Sequence, residues 1–215
     1  MAQRLIVLAL LLCCFTAIAA SVASADEKLP DPRKDGGDGI FALLERRASG
    51  TRGDFPKGAI SREELSTVLW AASGLNRGGK GWTVPMAMGK PPYVNIYAAT
   101  PEGAFLYDWK NNALVTVNEK NILSDINGDG FVQASPVVLV FVSDPEGTGD
   151  PSGINAGNAL AFIASGAMTQ NIYLAADALG ISGRYMVSMK ADAVKKDLKL
   201  KDNEVPLCIM PLAKR

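Results

Sequence analysis

Asp125, Asn127 and Asp129 alternate in the stretch DINGDGFVQASP, residues 125–136, and Gly130 follows them. Alternating side-chain oxygens before a glycine form the first half of an EF-hand calcium loop. Calcium takes about six to eight oxygens, and the twelfth loop position normally supplies a bidentate carboxylate. Counted from Asp125, that position is Pro136, and the ninth is Gln133, which reaches a cation only through water. An EF-hand also needs a helix on each side. Here the following run, PVVLVFVSD (136–144), is apolar and β-branched and reads as a buried strand. Asn-Gly and Asp-Gly are themselves frequent turn formers, because Asn and Gly tolerate positive φ. The stretch is therefore expected to be a tight turn feeding a strand. A weak calcium-binding module at 125–130 is the alternative, and no metal site is assigned.

Other protein-borne chemistry is scarce. The 215 residues include no histidine, which excludes Ser-His-Asp and Cys-His catalysis and every histidine metal ligand. Of three cysteines, Cys13 and Cys14 lie in the apolar N-terminal run, so Cys208 cannot form an intrachain disulfide after export; in its apolar strand it reads as inert core. An enzyme built from these residues takes its chemistry from an organic cofactor.

The chain opens with Arg4, an apolar run from Leu5 to Ala20 and Ala23-Ser24-Ala25, an A-x-A cleavage signature. Residues 1–25 are expected to be a secretory signal peptide, cleaved before Asp26, with an uncleaved anchor as the alternative. The product is expected to be periplasmic or secreted, with no stable membrane insertion after cleavage. Arg4 is the one charged side chain in that segment, so the mature chain carries one more acid than base. Nothing in that balance points to nucleic acid.

The elements that must position any site follow from pattern. Residues 26–39, rich in Pro, Gly and charge, read as a flexible leader, and 40–215 as one domain. IFALLERRA (40–48) reads as a short amphipathic helix. ISREELSTVLWAASG (60–74) reads as a strong one, with Ser61 and Glu64 as a capping box. VNIYAAT and GAFLYDW are alternating strands across a Pro101-Glu102-Gly103 turn, and ALVTV (113–117) extends them. Residues 137–143 form the central strand and 149–157 a loop. Asn158 to Leu179 is expected to be a long, nearly all-apolar buried helix ending at Gly180. GRYMVSM (183–189), 191–199 and VPLCIMPLA (205–213) follow as strand, helix and strand. The mixture predicts an α+β sheet with antiparallel pairing, flanked by helices.

Four segments in this order resemble the nitroreductase family of flavoproteins, in particular its branch of azoline-oxidising dehydrogenases. They are RRASGTRGDF (46–55), LSTVLWAASGLNR (65–77), YAATPEGAFLYDWKNNALVTV (97–117) and SGAMTQNIYLAADALGI (165–181), with IMPLAKR at the end. The resemblance covers about residues 40–215. It implies a homodimer, one FMN at each subunit interface, and two-electron transfer through the flavin to a small-molecule electron acceptor. Within it, Arg47, Ser49 and Arg52 match the phosphate-holding motif, with Arg46 as a neighbour; guanidinium forks suit phosphate. A solvated cationic turn at a helix C-terminus is the alternative. Lys214, with Arg215, is implied at the same phosphate, with a frayed tail as the alternative. Gly180, Ile181, Ser182 and Gly183 occupy the place where backbone approaches the flavin ring, although a C-cap and turn would use the same residues. Asn76 and Arg77 end the second segment and either line the pocket or cap the helix. One departure stands out. The branch usually has P-S-A-x-N-x-Q after that segment; here VPMAMGKPPY puts Met86 and Gly89 where its ring-contacting Ser and Asn stand. A flavin-free binding or structural homologue is the alternative those two positions raise.

Overall fold

The computed structural model describes residues 26–55, 57–149 and 158–215. The expected signal peptide and all but the first residue of the expected 149–157 loop lie outside them. In chain order the elements are β1 (Glu27–Lys28), α1 (Ile40–Arg46), α2 (Arg62–Ser73), β2 (Leu75–Asn76), β3 (Gly81–Trp82), β4 (Val94–Thr100), β5 (Gly103–Asp108) and β6 (Ala113–Asn118). Then come the single turns α3 (Leu123–Ile126) and α4 (Gly130–Gln133), β7 (Val137–Ser143), α5 (Pro145–Thr148), α6 (Ala159–Ala178), β8 (Ile181–Gly183), α7 (Ala191–Asp197) and β9 (Pro206–Lys214).

Seven strands form one sheet in the order β1-β6-β5-β4-β7-β9-β8, every neighbouring pair antiparallel. Strand periodicity divides the core between its two faces. Val137, Leu139 and Phe141 of β7 join α2 and α6 on one side, while Val138, Val140 and Val142 face α3, α4 and α7 on the other. β7 is buried along its whole length, which is why its sequence reads as a continuous apolar run. Thr100 and Gly103 pair across the two-residue β4–β5 turn; a side chain at Gly103, whose φ is 152°, would collide with the Asn118 carbonyl.

The predicted capping box closes α2: Glu64 N donates to Ser61 Oγ (3.1 Å) and Ser61 N to Glu64 Oε2 (2.9 Å). α6 is apolar nearly all round, yet it is the core helix packed on α2 and the sheet, burying Ala161, Ala164, Met168, Ile172 and Ala176. It also leaves Phe162 and Ile163 exposed, as α1 leaves Ile40, Phe41 and Leu44.

Three expectations change. Residues 26–39 are held to the domain: β1 pairs with β6, Leu29 is buried, and Ser66 Oγ and Asn112 Nδ2 both donate to the Pro30 carbonyl (2.6 and 2.9 Å). One apolar residue and backbone pairing suffice to anchor a segment whose composition suggests flexibility. The 125–136 stretch is not a tight turn built on positive φ. It is two helical turns joined at Asn127, whose side chain donates to the Ser188 carbonyl (2.8 Å) and accepts from Asp129 N (2.6 Å). The run GRYMVSM is not a continuous strand: β8 lies earlier, at 181–183, and only Met186 bridges back to Ile209. Tyr185 N donates instead to the Tyr173 hydroxyl (2.8 Å), which takes that residue off the ladder.

Candidate functional site

α1 ends at Arg46, and Arg47 turns the chain out of the helix with ψ 125°. The residues that follow are fastened to the end of β8. Gly50 N donates to the Gly183 carbonyl (2.8 Å), and Arg184 Nη1 donates to the Gly50 carbonyl (2.9 Å). Ser49 Oγ lies 2.9 Å from the Tyr173 hydroxyl, which also receives Tyr185 N. Two stretches more than a hundred residues apart thus form one wall. Ile181, Ser182 and Gly183 are buried in it, and Gly180, with φ +67°, ends α6 as its C-cap turn.

The basic residues here divide into two groups. Arg46 pairs with Asp38 and with Asp177, whose side chain is only 2% exposed; Arg215 holds the other Asp177 oxygen at 2.5 Å. Burial works to raise the Asp177 carboxyl, but these two guanidiniums outweigh it and hold it below its ordinary value. Lys214 pairs with Glu64 and donates to the Leu179 carbonyl (2.8 Å). Burial is likewise the largest influence on Glu64, and Lys214 with the Ser61 amide overcomes it, so that carboxyl also lies low. Arg46, Lys214 and Arg215 are therefore engaged with acids that lock α1, α2 and the C-terminus together.

Arg47 and Arg52 are free of such locks. Arg47 lies over the Tyr173 ring, 5.1 Å from its centroid, with no ion pair among the described residues. Arg52 is 75% exposed, stacks over Phe131 at 5.6 Å and sits 3.8 Å from Asp129, a loose contact. A cleft of about 400 Å³ opens beside Arg52, lined by Arg52, Asp129, Phe131, Arg184, Tyr185 and Met186. Two guanidiniums, one carboxylate and two aromatic rings thus line it. Arg184, Tyr173 and Tyr185 belong to this site but were not singled out from sequence. Arg184 and Tyr185 sit in a run that reads as strand, and Tyr173 in one that reads as helix core.

Met86 and Gly89 stand elsewhere. They line a second groove, of about 320 Å³, with Asn76, Arg77, Trp82 and Pro85. Met86 is largely buried in the core beside it, and Gly89 has φ +64°. Asn171 of α6 faces that side, donating to the Ala71 and Thr83 carbonyls (both 3.1 Å). Tyr173 is two residues on, about 200° around the helix. The arginine-lined cleft and the second groove thus flank α6 on opposite sides within one chain.

The nitroreductase family profile matches residues 44–214. Among curated proteins, one of Methanocaldococcus jannaschii named as a nitroreductase is 27% identical over 184 residues, 80% of this chain and 89% of its own. Among solved structures, a protein of Ralstonia eutropha JMP134 described as a nitroreductase is 26% identical with a TM-score of 0.78, covering 88% of this chain and 89% of that one. The Escherichia coli microcin synthetase McbBCD complex with bound truncated pro-MccB17 contains a chain with a TM-score of 0.68 at 18% identity, covering 94% of this chain and 85% of that one, a likeness of fold. Family profile, sequence relatives and antiparallel α+β architecture agree, and the chain belongs to the nitroreductase family of oxidoreductases.

Proposed function

We infer that the protein is an exported, homodimeric oxidoreductase that binds FMN and passes two electrons between a donor and a small-molecule acceptor. The observation that carries this reading is the fastening of the 47–52 segment, through Ser49 and Gly50, to Tyr173 and the 183–185 segment beside a cleft that Arg52 and Arg184 line. The residues fit the group. Two guanidiniums without buried acid partners and a hydroxyl suit a phosphate. Phe131, Tyr185 and Met186 offer apolar surface to a flat ring, and the cleft volume lies in the range of about 300–1,000 Å³ typical of ligand sites.

The bound flavin supplies the electron transfer. The chain's own residues bind, orient and exclude water. Arg47 and Arg52 hold the phosphate, while the hydrogen bonds between Gly50, Gly183 and Arg184 keep that end of the cleft rigid. Cys208 takes no part: burial pushes its thiol up to about 12, so it carries no thiolate near neutrality.

The opposed placement of the two grooves supports a dimer. A two-fold copy packed on α1 and α6 would bury Phe41 and Ile163, which are 85% and 70% exposed, and bring the partner's second groove toward this chain's cleft. Export rests on the A-x-A signature before Asp26.

The test is an Arg47→Ala variant of the mature protein, titrated with FMN by flavin fluorescence. Losing a charge-assisted phosphate contact costs about 1.5–3 kcal/mol, a ten- to hundredfold weaker affinity, with circular dichroism unchanged. Unaltered affinity would remove Arg47 from the site.

A further inference from the structure

Two residues that line the second groove each carry a buried polar atom with no hydrogen-bond partner among the described residues: the Asn76 Oδ1 acceptor and the Trp82 Nε1 donor. Such orphans are rare, because each costs about 1–3 kcal/mol when left unpaired. Their positions are enforced. Asn76 Nδ2 donates to the Trp82 carbonyl (2.8 Å), which fixes the amide so that its oxygen is the unused end. The Trp82 indole is braced edge-on by Trp109, ring centroids 6.1 Å apart.

Arg77 adds a third group. Its guanidinium lies against Gly81, where any side chain would collide with it. It has no carboxylate within ion-pair reach among the described residues. Arg77, which lines the same groove, has φ 47°, a left-handed value that costs a non-glycine residue of order 1–3 kcal/mol. A strained backbone, two residues with orphaned atoms and a cation without an ion pair among the described residues thus line one groove, whose apolar floor we take to be Val84, Pro85 and Met86.

One kind of ligand satisfies all three groups. It is planar, to lie on the apolar floor. It carries a ring N–H for the Asn76 oxygen and carbonyl oxygens for the indole N–H and the guanidinium. That is the imide edge of a pyrimidine-type ring, found on a flavin and on a uracil nucleotide. We propose that Asn76, Trp82 and Arg77 form an imide-reading subsite. The proposal rests on the flavin reading above for its preferred occupant, the pyrimidine edge of a flavin whose phosphate lies in the partner subunit's arginine-lined cleft, since the two grooves lie on opposite sides of α6 within one chain. In that role these residues supply the polar recognition that Met86 and Gly89 cannot.

The experiment compares FMN with 3-methyl-FMN, whose ring nitrogen has no hydrogen, and with uridine monophosphate. Binding is read by fluorescence and calorimetry on the mature protein and on Asn76→Ala and Trp82→Phe. The proposal predicts that 3-methylation weakens flavin binding to wild type about tenfold or more. It predicts a similar loss of FMN affinity in Asn76→Ala, and little further loss on methylation in that variant. Uridine monophosphate binding without FMN binding, lost in Asn76→Ala, would keep the subsite and reject the flavin reading. Equal affinity for FMN and its 3-methyl form overturns the subsite and leaves flavin binding standing. No binding of either ring overturns both. The methylated ligand needs no mutation, so the result does not depend on a variant that folds.

Discussion

Asp177 shows how single residues decide which cations a ligand can use. Nearly buried, it holds Arg46 and Arg215 at the end of α6, so the guanidiniums left for an anion are those of Arg47 and Arg52. Asp177→Asn keeps the shape but removes the charge. Because both arginines are partly solvated, the expected loss is about 1.5–3 kcal/mol, below that of a fully buried pair. Urea unfolding of the two proteins at pH 7 measures it. The same carboxyl has a pH signature. A carboxylate lowered on folding contributes stability above its unfolded pKa and loses it as pH falls through the folded value. Asp177 starts from 3.8 and Glu64 from 4.5, both lowered, so wild type is expected to hold its stability down to about pH 5 and lose it progressively below. Asp177→Asn should show a shallower acid slope. Cys208 is a separate case: with its thiol near 12 and no exposed surface, it should resist thiol reagents at pH 8 until the protein unfolds. Labelling at the rate of a free peptide would contradict its placement.

Elements were legible where the pattern is local. Ser61 and Glu64 specify the start of α2 within four residues, and the β-branched run at 137–143 can only be a strand buried on both faces. Elements set by distant partners were not. β1 exists because β6 offers an edge, and Leu29 is the single apolar side chain that seats it. Leu29→Ala should cost about 2–5 kcal/mol, as for other buried leucines, measurable as a lowered Tm. A change within error would mean that 26–39 is as loose as its composition suggests. The same contrast governs the site. Arg47, Ser49 and Arg52 were visible because they form one short motif resembling a known one. Arg184 was not, because its role comes from a hydrogen bond to Gly50 that links residues 134 apart. Asn76 and Arg77 read from sequence as pocket or cap residues, but the unpartnered Asn76 Oδ1 and Trp82 Nε1 are a property of tertiary packing that no spacing encodes.

At the scale of the whole molecule, the proposed dimer makes a prediction about the exposed apolar residues. α1 and α6, which pack on each other, expose Phe41 and Ile163. Phe41→Glu is expected to weaken self-association about tenfold or more, read by sedimentation, without altering the monomer's circular dichroism. In the dimer we propose, the two grooves on opposite sides of α6 would meet across the two-fold axis and complete one site. The most direct measurement is an FMN titration of mature wild-type protein refolded with the cofactor, with stoichiometry by absorbance and mass by light scattering. The account predicts one FMN per subunit in a dimer. A monomer that takes up no flavin after refolding would contradict it.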